Sequence, residues 1–357
     1  MARLSIPKTL RRVVSVTLLA AVVEYLVLPQ VAGARKALHL VSQLNTGLFG
    51  LGVALEILSL LAYSQLTRSL LPRGSLPLNR IFRINMSTLS VSHVVPGGTA
   101  AGASLGYRLL TASGVTGPDT GFALGMQGLG SAVVLNALLW AGLVVSIPVY
   151  GFNPIYGVAA GLGVLLIGFL SVIVLLMTRG VDRAATVLRT VARKLPLITE
   201  DATEAVFRRV AVRLQELTSD SARLGRCIGW AAANWLLDAA SLWVFLAAFG
   251  HGHGRFPNPV GLIVAYGLAN VLAAIPITPG GLGVVEGVLT PALVGFGLTK
   301  SVAILGVLGW RLINFWLPIP TGAAAYVSLR LDSERSGAPE QKLAPYVESL
   351  DQSRRAP

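Results

Sequence analysis

Five ionisable side chains fall inside long apolar stretches of this sequence: Glu24, Glu56, Asp238, Glu286 and Arg311. An ionisable group at the centre of a membrane span costs about 2.5 to 3.5 kcal/mol on insertion scales, so each needs a partner or a wet cavity. Arg311 is the only basic residue deep in such a stretch. Its natural counter-ion is an acid from the same half of the chain, with Glu286 first and Asp238 second. The pair reads either as a structural ion pair that pins two segments or as a contact for an anionic substrate, and the two roles are compatible. Asn234 and Asp238 lie four apart and share a helix face, as do Trp310 and Asn314 around Arg311. Such faces line a polar path or make interhelical hydrogen bonds, the second being the commoner outcome. His93, just before Pro96-Gly97-Gly98, reads as a proton acceptor or, more often for a lone histidine, as a packed polar residue.

Other constellations are weaker. His251-Gly-His253 has no third ligand nearby, so neither a metal nor a cofactor is expected. Gly102-Ala-Ser104-Leu-Gly106 matches the G-x-S-x-G nucleophile pattern, which needs a strand-to-helix elbow. Here it sits in a stretch of small residues suited to close helix packing. The chain has no H-E-x-x-H and no phosphate-binding loop. We therefore expect no enzymatic activity, and any transport is passive, ion-coupled or driven by downstream consumption.

The elements that must position these residues are membrane helices. Of 357 residues, 54% are hydrophobic and only 13% charged, against about 25% charged in a soluble domain. Apolar stretches cover residues 13–28, 46–63, 121–149, 156–177, 227–249, 259–277 and 302–327, each near or above the roughly 20 residues that cross a bilayer. Backbone amides in hydrocarbon must be satisfied internally, so these are helices and the fold is all-α. The net charge of +13 is scattered between spans, which points to anionic lipid headgroups rather than nucleic acid. The single cysteine, Cys227, excludes an intramolecular disulfide. Arg11, Arg12, the first apolar stretch and Ala32-Gly33-Ala34 imitate a signal peptide, but Glu24 interrupts the stretch and favours a retained span.

Basic residues prefer the cytoplasmic side. The N-terminus, the 64–83 loop, the Arg-rich stretch from Arg179 to Arg226 and the C-terminal tail are all basic. All four lie on one side only if two apolar segments enter and leave on the same face. The candidates are residues 84–110, broken at Pro96-Gly97-Gly98, and 262–298, broken at Pro279-Gly280-Gly281. The result is six crossings plus two re-entrant hairpins. Every basic residue is then inside except Arg35, Lys36, Arg255 and Lys300, which lie outside, and Arg311. The breaks occur once per half and enter from opposite faces, the pattern of an inverted repeat, whose substrate site lies where interrupted segments meet. A kink or a loop between two short helices is the alternative. Residues 1–330 form one membrane domain with cytoplasmic termini. Within it, 179–226 carries Phe207, Val210, Leu214 and Leu217 opposite Arg208, Arg209 and Arg213. That pattern fits an amphipathic helix on anionic lipid or a solvated connector. Residues 331–357, rich in charge, Ser and Pro, are expected to be disordered.

Pro276-Ile-Thr-Pro-Gly-Gly-Leu-Gly-Val-Val-Glu286-Gly, followed by Gly309-Trp-Arg311-Leu-Ile-Asn314-Phe-Trp-Leu-Pro318, resembles the lysylphosphatidylglycerol synthase transmembrane, or flippase-like, family. The resemblance covers roughly residues 10–330 and is looser at the first break, where the family often has an acid and this chain has Thr99-Ala-Ala-Gly. It implies movement of a lipid or lipid-linked glycan across the cytoplasmic membrane. It does not imply lipid aminoacylation, since the residues after Arg330 are too few for the aminoacyl-transfer domain. Carried over by position, it singles out Pro279, Gly280, Gly281, Gly283, Glu286 and Arg311. With Asp238, Asn314, His93, Pro96, Gly97 and Gly98 these form the expected path for an anionic headgroup or lipid phosphate. The alternatives are a scaffold subunit for a cell-envelope biosynthesis enzyme and an ion-coupled carrier of a small solute.

Overall fold

The computed structural model describes residues 44–95, 98–150, 154–178, 212–250, 258–274 and 278–335. Every regular element among them is helical. In chain order they are α1 (Thr46–Leu70), α2 (Leu78–Val94), α3 (Gly98–Ala112), α4 (Gly117–Tyr150), α5 (Pro154–Thr178) and a short α6 (212–219). There follow α7 (Ser221–Gly250), α8 (Pro259–Ala273), a 3-10 turn at Pro279–Gly281, α9 (Val284–Gly295) and α10 (Lys300–Arg311). A π-helical turn at Leu312–Trp316 leads into α11 (Pro318–Arg335).

Helices α1, α4 and α7 and the continuous stretch Lys300–Glu334 are long and apolar enough to cross a membrane. The 25-residue α5 has no charged residue and meets the same length requirement. These match five of the six expected crossings. The first, 13–28, lies outside the described residues, as do Glu24 and the imitation cleavage site. Local signals set several helix ends. Asn45 caps α1 by accepting from the Leu48 amide at 3.0 Å, and Asn258 caps α8 just before Pro259, a residue suited to a first helical position. Arg223 donates to the carbonyls of Ser69, Leu70 and Leu71, satisfying acceptors that the end of α1 leaves orphaned.

Both broken segments are helical hairpins. The first consists of α2 and α3, which run antiparallel with small residues at their contact: a Cβ on Gly106 would lie 3.0 Å from Thr88 Cγ2, and one on Gly102 2.8 Å from the Thr88 carbonyl. The second consists of α8 and α9, where a Cβ on Gly261 would meet Phe296 at 2.7 Å and one on Gly281 the Ala273 methyl at 2.7 Å. Lipid tails compete with apolar side chains for apolar contact, so close approach through glycine is how membrane helices gain cohesion. At 15 residues, α8 is an arm of this hairpin and too short to cross.

Two apolar clusters sit at opposite ends of the spans. One gathers Leu66, Leu70, Ile81, Leu110 and Leu329 around the base of the first hairpin. The other gathers Phe249, Leu262, Leu293, Leu298 and Val302 around the base of the second. The stretch Lys300–Glu334 joins them, beginning at the second cluster and ending at the first. The hairpins therefore point toward each other from opposite ends.

Two segments depart from the sequence reading. The apolar face of α6 does not lie open to lipid: Leu214 and Leu217 are buried in the first cluster. Its Arg213 pairs with Asp119 at 2.9 Å and Glu216 at 2.8 Å, so the described part of 179–226 is docked on protein. Helix α11 continues through Leu331–Arg335 instead of ending there, held by Arg83, which donates to Ser328 and pairs with Asp332. Residues 336–357 lie outside the described residues.

Candidate functional site

The tip of the second hairpin is built on backbone that only glycine adopts without strain. Gly280, Gly281 and Gly283 have φ of 55°, 69° and 83°, in the left-handed region where a Cβ is penalised. Pro279 opens the 3-10 turn. Glu286 closes the tip by accepting from the Gly283 amide at 2.6 Å through Oε2, a one-way cap that also sets a carboxylate at the positive end of α9. Its other oxygen accepts from Arg311 Nε at 2.5 Å. Arg311 Nη2 also donates to the Gly280 carbonyl at 3.3 Å. Both partners are buried, Arg311 5% and Glu286 4% exposed, so the ion pair expected between them exists and ties α10 to the hairpin tip.

The first hairpin reaches the same place through His93, at the end of α2. Its ring stacks on Phe315 with centroids 4.5 Å apart, and Nδ1 lies 3.0 Å from the Phe315 carbonyl. A carbonyl only accepts, so this contact places the proton on Nδ1. A Cβ on Gly280 would lie 2.8 Å from His93 Cδ2 and 2.5 Å from Phe315 Cε2. The two tips thus meet across Phe315, over whose ring the Arg311 guanidinium also sits at 4.5 Å. Gly98 starts α3, while Pro96 and Gly97 lie outside the described residues. The π turn falls where Pro318 and Pro320 withhold backbone donors from the helix ladder.

Beside the tips lies a second buried polar layer. Asp238, on α7, accepts from Tyr266 Oη at 2.6 Å, Trp310 Nε1 at 2.7 Å and Asn314 Nδ2 at 3.2 Å. The same Asn314 nitrogen donates to Glu56 Oε1 on α1 at 2.9 Å. Trp310 and Asn314 do share a face, and that face carries hydrogen bonds between helices. Asn234 likewise donates to Ser59 on α1. Glu56, read from sequence only as an intramembrane charge, joins this layer. Tyr266 and Phe315 were missed because hydropathy counts them as apolar; their sole sequence signal was proximity to the broken segment and to Arg311.

Ser104 is exposed on an unbroken α3 whose buried face is Gly102 and Gly106, so no nucleophile elbow forms. His251 and His253 lie outside the described residues. No cluster of three or more His, Cys, Asp or Glu suited to a metal occurs among the described residues. A cavity of about 340 Å³ between α7 and α8 is lined by Leu236, Ala239, Trp243, Leu262 and other apolar groups and offers no anion recognition.

An all-helical, multi-pass membrane protein with two opposed broken hairpins meeting at a buried Arg–Glu pair is the class this geometry defines. Within that class, the chain belongs to the family described as the lysylphosphatidylglycerol synthase TM region, which matches residues 11–322. It is 36% identical over 113 residues to an uncharacterized protein of Synechocystis, a match covering 30% of this chain and 32% of that protein. It is 31% identical over 94 residues to a UPF0104 membrane protein of Methanothermobacter thermautotrophicus, covering 26% of each. The matched stretches thus span about a third or less of either relative.

Proposed function

We propose that the protein moves an anionic lipid, or a lipid-linked glycan carrying phosphate, between the leaflets of the cytoplasmic membrane, without chemical transformation of its cargo. The observation that carries this reading is the placement of Arg311. A guanidinium has five N–H donors, and its hydrogen bonds to Glu286 and Gly280 engage two. The group sits within a spanning stretch, where both hairpin tips converge. A planar donor fork in a low-dielectric setting is suited to a phosphate. Membership in a family described by a lipid synthase's membrane region supports a lipid as cargo. In the closed arrangement Glu286 occupies the site as a built-in carboxylate, and the headgroup displaces it as the tips part.

Reconstitution into vesicles containing a fluorescent phosphatidylglycerol tests this. Wild-type protein should accelerate exchange between leaflets, and Arg311→Glu at equal incorporation should return it to the protein-free rate. Unimpaired exchange by the variant would sink the proposal. A scaffold subunit, for which the same ion pair is only a latch, would give no exchange in either case.

A further inference from the structure

The charges in the buried layer do not balance. Three buried carboxyls, Glu56, Asp238 and Glu286, share this layer with one buried guanidinium, Arg311, whose carboxylate partner is Glu286. Glu56 and Asp238 are 1% and 6% exposed and are brought together at one amide group. Both accept from the single Nδ2 of Asn314. Glu56 Oε2 is buried and has no hydrogen-bond partner among the described residues. Two ionised carboxylates side by side and out of water are strongly disfavoured, and paired acids resolve this by sharing one proton. A proton on Glu56 would cut the excess of negative charge from two to one and turn an orphaned acceptor into a donor.

The surroundings favour a proton over a metal cation. Hard cations take shells of about six oxygens. Here Asp238 faces the O–H of Tyr266 and the N–H groups of Trp310 and Asn314, whose hydrogens repel a cation. The Ser241 hydroxyl, from the same helix as Asp238, gives its proton to the Gly52 carbonyl. The titratable and charged groups facing the pair are Tyr266 from α8, Arg311 from α10 and, behind Arg311, Glu286 from α9. On α4, the sole acid, Asp119, is bound to Arg213 at 2.9 Å. From α2, His93 bonds the Phe315 carbonyl on the far side of the tip contact.

We propose that Glu56 and Asp238 form a shared-proton site whose loading is coupled to the partner exchange of Arg311. The coupling is mechanical. Trp310 and Asn314 flank Arg311 and both donate to Asp238, so a backbone shift that carries Arg311 from Glu286 also strains the bonds on the acid pair. The π turn at Leu312–Trp316 supplies the extra backbone length for such a shift, a common role of π bulges. Loss of the proton would leave two bare carboxylates and draw Arg311 toward them; its return would release Arg311. What the proton accomplishes rests on the translocation reading, whereas its presence does not.

Infrared spectroscopy of the purified full chain in lipid nanodiscs at neutral pH tests the site directly. We expect a protonated-carboxyl band that moves on labelling the glutamates with carbon-13, disappears in Glu56→Gln and shifts in Asp238→Asn. The labelled wild type suffices if either variant fails to fold. Absence of a label-sensitive band, or its loss on adding sodium, overturns the proposal. In vesicles, a gradient of one pH unit should bias the leaflet ratio about tenfold if one proton moves per lipid, and Glu56→Gln should abolish that bias. Lipid exchange indifferent to the gradient overturns the coupling and leaves translocation standing. A label-sensitive band with no lipid exchange overturns translocation and leaves the proton site standing.

Discussion

Arg311 and Glu286 show how one side chain can serve two elements. Glu286 caps α9 with one oxygen and holds Arg311 with the other. Removing one member of a buried ion pair strands the other, at about 3 to 5 kcal/mol, while replacing both by uncharged groups is often nearly neutral. Arg311→Met should therefore lower the melting temperature of the detergent-solubilised protein markedly, and adding Glu286→Gln should restore most of that loss. Lipid exchange should stay absent in both. Recovery of exchange with stability would reduce Arg311 to a latch. This pair was legible in the sequence because a buried guanidinium demands an anion and Glu286 was the nearest acid past the glycine turn. The stack of His93 on Phe315 was not legible, nor was the ring of donors on Asp238. Tyr, Trp and Phe bury apolar bodies with polar handles or faces, and only the fold reveals where those aim.

At the scale of elements, the hairpins followed from charge bookkeeping, since a single basic side required two segments to turn back. Their limits did not follow from it. Helix α2 begins at Leu78, ahead of the expected 84, because Arg80 and Arg83 look like loop residues until their partners Ser113, Ser328 and Asp332 appear. The docking of α6 was hidden for the same reason: an apolar stripe says that a face is covered, not what covers it. Cohesion of the first hairpin depends on glycine at the α2–α3 contact. Gly102→Val should wedge the arms apart, since its Cβ would already press on the Thr88 carbonyl. Overpacking of this kind costs about 1 to 3 kcal/mol. Thermal unfolding in detergent is the measurement, with the exposed Ser104→Val as the neighbour expected to cost less than about 0.5 kcal/mol.

For the whole molecule, the basic residues Arg68, Arg73, Arg80, Arg83, Arg213, Arg223 and Arg226 belong to the end that holds the first hairpin's base, while Lys300 opens α10 at the other. If that basic end is cytoplasmic, as charge bias directs, Arg73→Cys in intact cells should resist an impermeant thiol reagent until the membrane is opened. Lys300→Cys should react at once. The native Cys227 is buried and sets a low background. The reverse pattern would invert the topology.

The separation of the two apolar clusters by a layer of ionisable and amide groups has a mechanical consequence. Each end is held by contact spread over many side chains, which resists small displacements in every direction. The middle is held by a few directional bonds among Glu56, Asp238, Asn314, Arg311 and Glu286, which are stiff until their geometry fails and then let go together. Two firm blocks joined by a brittle seam bend at the seam, so a load applied at either end is concentrated on the five residues best equipped to trade partners.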